Sequence, residues 1–538
     1  MPMISSTKIA TPAEKLKVKD LLAVHEYYSA HLQEWKFLMS MYEGIKSIIA
    51  NGYIEQHERE PDDAYKRRKK ELFGFGYSRS VVDLFHFYLF KKTPNRTVGT
   101  LKNEKIWEMF SADADLYGNG IDAVLMESML YSAILGHVGL LVDKASSVFQ
   151  TKQQQYDAKV YPYIAKYFPQ AILDWKFGKD EHNRPRLEMI KLLDDDNQYR
   201  LWFLDRWEVW ELPKNKNGEP DESNQDADAV YIDGGTNPLE EIPFTWLYNH
   251  KSKDRGIGVS DIHEISRIDL SIVRNLSQIE EIINFAAFPI MRKPMRDASP
   301  TDRNLPQQDD EVSVQSVQEF DPENPDSKPD WMPSSAAEPI LAILGAIEKK
   351  VAEIYRASNA GGMAATEVQT QAKSGVALRT EFQLLNAKLA GKAANLDKVE
   401  MRIVELLCKW EDLLVKFEKD YNVERDRSYD VENLASDLEN AATAQTLIVS
   451  AKFDELLQKQ TARQILPTAD EKDMATIDKE IEEGVKSGKE KGDGSTLPPP
   501  GTNPEDEEFI SAGGKPGQQI PQNKSGQPAV VEPAAQAA

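Results

Sequence analysis

NAGGMAATEVQTQAKSG (359–375) runs into VALRTEFQLLNAKLAGKAANLDKVEMRIVELLCKWEDLLVKF (376–417), and the second segment carries a seven-residue apolar repeat. Phe382, Leu389, Leu396, Ile403, Trp410 and Phe417 form one row. Leu378, Leu385, Val399, Leu406 and Leu413 form a second, broken only at Lys392. Such spacing places the apolar side chains on one stripe of a helix. About 40 residues at ~1.5 Å rise predict a rod of roughly 60 Å. A rod led by a loop of small residues points to architecture before chemistry.

The chain has 538 residues, more than one core normally serves, so several subdomains are expected. Its hydrophobic content of 41% is enough for buried cores. A net charge of −23 and a pI near 5.0 argue against a surface that grips nucleic acid, because phosphate binding needs clustered Lys and Arg. They still allow a surface that nucleic acid slides past. The single cysteine, Cys408, falls within the repeat. It predicts a reducing compartment and reads as a small buried hydrophobe. Met1–Ala13 lacks the apolar core of a signal peptide, and no apolar run nears the ~20 residues that span a bilayer. A soluble, intracellular protein without membrane contact is the expectation.

Residues 11–50 read as helical, opening on the cap-like Thr11-Pro12-Ala13-Glu14. The basic run Lys66-Arg67-Arg68-Lys69-Lys70 reads as a solvated helix face. An aromatic-rich helix follows over 77–90, with Phe85, Phe87, Tyr88 and Phe90, and another over 119–136 stops at Gly136 before the strand Gly139–Asp143. From there to about 250 the period becomes two. Tyr199, Leu201, Phe203, Trp207 and Val209 alternate as in a half-buried strand, Asn215–Gly218 signals a turn, and Val230–Gly234 reads as a returning strand. Trp175, Trp202, Trp207, Trp210 and Trp246 are assigned to the core.

Helical spacing returns at Gly256-Ile-Gly258. Ile265, Ile272, Ile279 and Ala286 form one row; Ile262, Leu276 and Ile283 form another, interrupted by Asp269. The pattern stops at Phe288-Pro289. A proline- and acid-rich stretch follows to about 333, then a helix over about 337–357, the glycine loop and the long helix. Further helices are expected over 428–483. From Gly484 the composition of Gly, Pro, Gln and Ser predicts a tail without a packed core.

Motifs for chemistry are wanting. His263-Glu264-Ile-Ser-Arg267 resembles a zinc-protease helix but carries Arg267 where the second imidazole must stand. Gly256-x-Gly258 lacks the third glycine of a dinucleotide fingerprint, Gly74-Phe-Gly76 follows no clear strand, and no P-loop is present. Asp194-Asp195-Asp196 reads as a turn, and the eight histidines lack metal-ligand spacing. A protein without catalysis, cofactor or metal is expected.

The order of elements resembles that of tailed-bacteriophage portal proteins, the rings at the head-to-tail vertex. Three stretches carry the resemblance. One is Tyr53-Ile-Glu-Gln with Asp62-Asp-Ala-Tyr-Lys-Arg and the aromatic helix to Lys91-Lys-Thr-Pro94; the others are Gly136–Asp143 and Ser374-Gly375-Val-Ala-Leu378. The resemblance implies an α+β, mainly α chain with a mixed wing (1–255), a stem helix (256–289) and a small α/β clip (290–335). A second stem helix (336–357), a tunnel loop (358–374), a long wing helix (375–427), a helical crown (428–483) and a disordered tail (484–538) complete it.

It also implies a homo-oligomer, typically a dodecamer, in the virion at the capsid vertex. Such a ring conducts double-stranded DNA during packaging and ejection. It docks the terminase large subunit, then head-completion or adaptor proteins, and meets the major capsid and scaffolding proteins. Asn359, Gly361, Gly362, Met363, Thr366, Gln369 and Lys373 would line the DNA channel, where Gly361 and Gly362 permit close backbone approach. Arg292, Lys293, Arg296, Arg303, Asp309 and Glu311 would form the docking surface of the clip. Twelve copies carry 12 × −23 = −276 formal charges, which suits passage rather than capture of DNA. The interrupted rows of 256–288 need partners, and neighbouring subunits are expected to supply them. A non-portal scaffold built on long helices and an acidic nuclease are the competing readings.

Overall fold

The computed structural model describes residues 8–287 (except 10, 13, 59, 147, 148, 150 and 195–197), 291–292, 330–331, 336–358, 375–427 and 429, with short pieces of 452–462 and the run 471–487. Contacts divide the chain into a unit ending at Asp430 and a second beginning at Val431. Among the described residues the architecture is mixed α+β with open sheets.

The expected helix over 11–50 begins only at α1 (Val18–Leu22). Before it the chain lies along a sheet edge, bridging Lys8 to Gly235 and Lys17 to Asp228. Residues 8–17 carry no helical apolar stripe, and an open strand edge satisfies their backbone groups instead. α2 (Glu26–Glu43) and α3 (Ile45–Ala50) are separated by Gly44 at φ +95°. α4 (Asp62–Glu71) bears the basic run. Lys66, Arg67 and Lys70 face solvent as expected, but Arg68 is buried and grips Glu60 with two bonds of 2.7 Å. α5 (Tyr77–Leu89) follows, burying Val81, Val82, Phe85 and Leu89.

β1 (Asn95–Thr97) and α6 (Lys105–Ala112) lead to α7 (Ile121–Leu135), a central helix apolar on nearly every side. Its buried hydroxyls are satisfied: Ser128 donates to the Val124 carbonyl at 2.6 Å and Ser132 to the Leu247 carbonyl at 2.9 Å. Gly136 turns the chain into β2 (His137–Asp143), all seven residues of which are buried. After α8 (Lys152–Asp157), β3 (Tyr163–Tyr167) pairs antiparallel with one side of β2.

β4 (Ile172–Lys179), β5 (Pro185–Leu193), β6 (Tyr199–Phe203), β7 (Arg206–Glu211) and β8 (Val230–Thr236) form an antiparallel meander. The Asn215–Gly218 turn and the returning strand lie where the sequence placed them. The sheet is not half-buried, however. Trp202, Trp207 and Val209 face the main core, while Tyr199, Leu201 and Trp210 join Val18 and Leu21 of α1 in a second one. With both faces covered, the alternating residues divide between the two cores: Tyr199 and Leu201 serve one, Trp207 and Val209 the other. Trp175, Trp202, Trp207 and Trp210 are buried and Trp246 nearly so.

β9 (Phe244–Tyr248) covers the other side of β2. Gly256-Ile-Gly258 does not start a helix. β10 (His250–Lys251) and β11 (Gly258–Val259) form a small hairpin, and α9 (Ile265–Ala287) begins after it. β12 (Met291–Arg292) and β13 (Asp330–Trp331) form a two-residue ladder before α10 (Ala337–Ser358). α11 (Gly375–Trp410) is the long helix: its 36 residues make a rod of about 54 Å. It stops seven residues short of the repeat's last member. Asp412 takes φ +58°, and Phe417 belongs to the separate α12 (Leu414–Asp420). β14 (Asn422–Glu424) then pairs with β1. In the second unit α13 (Glu471–Ser487) is described, with Lys459 bridging Glu455 and Glu482.

Among the described side chains of α11, both rows of the repeat are buried within this one chain. Leu389, Leu396, Ile403 and Trp410, and Leu385, Val399 and Leu406, pack where α11 meets α5, α7, β2 and β9. The same correction applies to α9. Ile262, Ile265, Ile272, Leu276 and Ile279 are buried without a neighbouring subunit, and Ile283 is the exposed member. Cys408 is buried and its thiol pushed up to about 12, first by burial, so it is the inert hydrophobe expected.

Candidate functional site

The arrangement that invites a functional reading is the pair α9 and α10 with what they carry. The two helices pack on one another, and Lys350 of α10 donates to the Ser271 hydroxyl of α9 at 2.8 Å. The ladder joins Met291 to Trp331 and Arg292 to Asp330 in antiparallel register. The end of α9 therefore lies by the start of α10, and the two helices are antiparallel, joined in sequence through residues 293–329. At the other end of α10, Ser358 is buried, and Tyr355 meets Tyr77 of α5 edge-on at 6.4 Å. Residues 359–374 join that end to the start of α11.

Two polar residues that broke the apolar rows fasten this hairpin and the rod to the body. Asp269 of α9 is buried and accepts the backbone N–H of Ser78 at 2.8 Å, in the first turn of α5. A carboxylate there serves the unpaired amides and the positive end of the α5 dipole. Lys392 of α11 is completely buried. It donates to the Asp261 carboxylate, just before α9, and to the Asn249 side-chain oxygen, just after β9. Lys388 lies 3.1 Å and His250 3.4 Å from the second Asp261 oxygen. Burial would raise the Asp261 carboxyl, but Lys392, His250 and Lys388 hold it far below the usual carboxylate range.

A third cluster ties β1 and the stretch after α12 to the rod. Arg425 binds Asp397 at 2.9 Å and Glu400 at 2.6 Å, both on α11. Glu400 also receives Arg96 of β1 at 2.7 Å and the Tyr421 hydroxyl at 2.9 Å. These charges are paired and enclosed, an arrangement for position rather than proton transfer.

The start of α9 is also set by a close backbone joint. Gly136 and Gly258 face each other so closely that a Cβ on Gly136 would stand 2.4 Å from the Gly258 carbonyl oxygen. The Gly258 N–H donates to His137 Nδ1 at 3.2 Å, which leaves the imidazole proton on Nε2. Burial, then His31, pushes His137 down to about 3. An unfolded histidine titrates near ~6.5, so below that pH the unfolded chain binds a proton that the folded one does not. Stability is expected to be full above this value and to fall by about 1.4 kcal/mol per pH unit below it. Denaturant titrations at a series of pH values check this; a His137→Gln variant should lose that part of the slope.

Among the described residues no group of three His, Cys, Asp or Glu could hold a metal ion. No helix among them is long and apolar enough to cross a membrane. His263 pairs with Glu34 of α2 rather than standing free for a metal. Asp194 is engaged by Arg200 at 2.9 Å and by the Tyr167 hydroxyl at 2.7 Å, while Asp195 and Asp196 lie outside the described residues.

Asn359, Gly361, Gly362, Met363, Thr366, Gln369 and Lys373 lie outside the described residues, as do Lys293, Arg296, Arg303, Asp309 and Glu311. Of Arg292 only the backbone is described, in β12. What the structure brings together are the fastenings the sequence left unpaired: Asp261, Asn249, Lys388 and Lys392. A lysine inside an apolar row was the signal, since a buried ammonium demands a partner.

No protein-family model matches the chain, and no curated protein matches it. Among solved structures, a chain from the virion of a native gene transfer agent particle is similar over 77% of this chain and 98% of its own, with 12% identity and a TM-score of 0.38. A chain from the neck of the native particle, computed with C12 symmetry, covers the same shares at 11% identity and a TM-score of 0.39. One from the neck of the empty particle, computed with C6 symmetry, covers 74% and 94% at 10% identity and a TM-score of 0.40. All three scores are below 0.5 and do not establish a shared fold.

Proposed function

We propose that the chain is a portal-type ring subunit: a non-catalytic conduit for double-stranded DNA at the vertex of a phage-like virion. The observation that carries this reading is the α9–α10 hairpin. Its two-residue ladder closes the base of the 293–329 segment, and its far end leads through 359–374 into α11. Two antiparallel helices joined through one segment, and a second connection running between two braced helices, suit a ring subunit that docks partners through one and lines a channel with the other. In this reading residues 293–329 meet the packaging motor and later the head-completion proteins, and 359–374 face the DNA. The chain's acidity favours passage over adhesion.

Negative-stain images and native mass spectrometry of the purified chain test the reading. End-on rings with a central hole are expected, near 730 kDa for about twelve copies of the 60.8 kDa chain. Monomers, dimers or open polymers at every concentration and salt would exclude it in favour of a helical scaffold.

A further inference from the structure

A groove between β9 and α11 has no part in the reading above. Its volume is about 250 Å³, and it is lined by Phe244, Thr245, Trp246, Tyr248, Lys251, Asn395, Lys398 and Val399. β9 is the last strand of its sheet, so its far side meets this space rather than another strand. Phe244, Trp246 and Tyr248 alternate along β9 and so share a face. Phe244 and Trp246 meet edge-to-face at 4.7 Å, and Phe177 supports Trp246 at 5.5 Å. The opposite bank is α11, with Asn395 donating to the Tyr248 carbonyl at 3.3 Å.

The charge of this groove runs against that of the molecule. In a chain of net charge −23, its lining holds two lysines and no acid. Lys251 and Lys398 are exposed, and neither lies within ion-pair distance of a carboxylate among the described residues. Lys251 sits 5.8 Å from the Tyr248 ring centre. The Trp246 indole N–H is buried and meets no acceptor. A buried donor left without a partner is destabilising, and an entering acceptor would relieve it. The Tyr248 oxygen accepts from the Gly256 N–H at 3.2 Å, so its own hydrogen remains available.

We infer that this groove binds an aromatic ring carrying a carboxylate, the ring against Phe244 and Trp246 and the anion between Lys251 and Lys398. Flat aromatic walls favour a ring, unpaired ammonium groups favour an anion, and the volume suits a ligand about the size of one aromatic amino acid. The group can be a free acid or the last residue of a peptide. The inference does not depend on ring assembly and is tested by binding to the full chain.

N-acetylphenylalanine and its amide, which lacks the charge, are the first probes, titrated by ligand-observed NMR. The acid is expected to bind at least about tenfold more tightly than the amide, a difference of about 1.4 kcal/mol. The double variant Lys251→Ala/Lys398→Ala, its fold checked by circular dichroism, should lose most of that preference. Trp246→Phe, which removes the indole N–H and part of the aromatic wall, should weaken both probes. Equal binding of acid and amide, an unaltered preference in the double-lysine variant, or no binding at about 10 mM would overturn the inference. A hexapeptide ending in phenylalanine separates the sources. Tighter binding than the single residue points to a chain terminus, and equal binding to a free acid; both uphold the site.

Discussion

Gly136→Ala is expected to leave little folded protein, with a loss of more than about 4 kcal/mol. Gly136 takes φ +96°, a region that a side chain enters at a cost of about 1–2 kcal/mol. The larger part is steric. The new Cβ would stand 2.4 Å from the Gly258 oxygen and 2.7 Å from its carbon, and both are backbone. A flexible side chain could swing aside; a carbonyl held by the hairpin and by its amide's bond to His137 cannot. Gly218→Ala separates the two contributions, since Gly218 has φ +82° but nothing within 4 Å of its Cβ position. It should cost only about 1 kcal/mol. Denaturant midpoints of the two variants decide the matter: equal losses would mean that the Gly136–Gly258 approach is not tight.

Lys392→Met is expected to cost roughly 3 kcal/mol, at the lower end of what breaking a buried ion pair costs. Methionine fills similar volume, so packing is spared and the loss comes from stranding the Asp261 carboxylate. Lys388 at 3.1 Å offers some compensation, which places the figure at the low end. Adding Asp261→Asn to Lys392→Met should restore most of the stability, because the unpaired charge then goes. The pH dependence has a definite sign. The folded Asp261 carboxyl is depressed, so its contribution is present above the unfolded value of ~3.9 and is lost as pH falls below it. The deficit of Lys392→Met should therefore shrink in acid. A double variant no more stable than Lys392→Met would show that Lys392 acts through its stem rather than its charge.

Both variants act at the root of the α9–α10 hairpin. Gly258 and Asp261 lie within seven residues of Ile265, the first residue of α9. One is locked to the α7–β2 turn and the other to the rod. Helices α9 and α11 are thus fixed to one body.

Local periodicity carried much of the fold. The repeat in 376–410, the aromatic helix ending at Leu89, the helix stopped by Gly136 and the Asn215–Gly218 turn were legible because neighbours in sequence determine them. Where long-range partners decide, the reading failed in traceable ways. Residues 11–17 had a cap-like pattern but no apolar stripe, and the edge of β8 took them. Gly256-Ile-Gly258 looked like a helix start because the isoleucine spacing runs on from it. It became a hairpin because His137 and Gly136 lie alongside. The candidate channel and docking residues lie on segments with little periodicity of their own, where resemblance alone points to them, whereas the groove of Trp246, Lys251 and Lys398 left no sequence signal. Its two banks lie about 150 residues apart in the chain and belong to different kinds of element.

By itself the sequence determined that this chain holds a long apolar-striped helix, a β-rich module, a charge of −23 and no pattern for catalysis. Only the tertiary structure decided that the stripe is covered within the same chain, and that Lys392 is a fastening rather than a flaw. The reason is the cost of burying charge. An ammonium in an apolar row is tolerable only beside a carboxylate, and that carboxylate comes from 131 residues away, where no local pattern points to it.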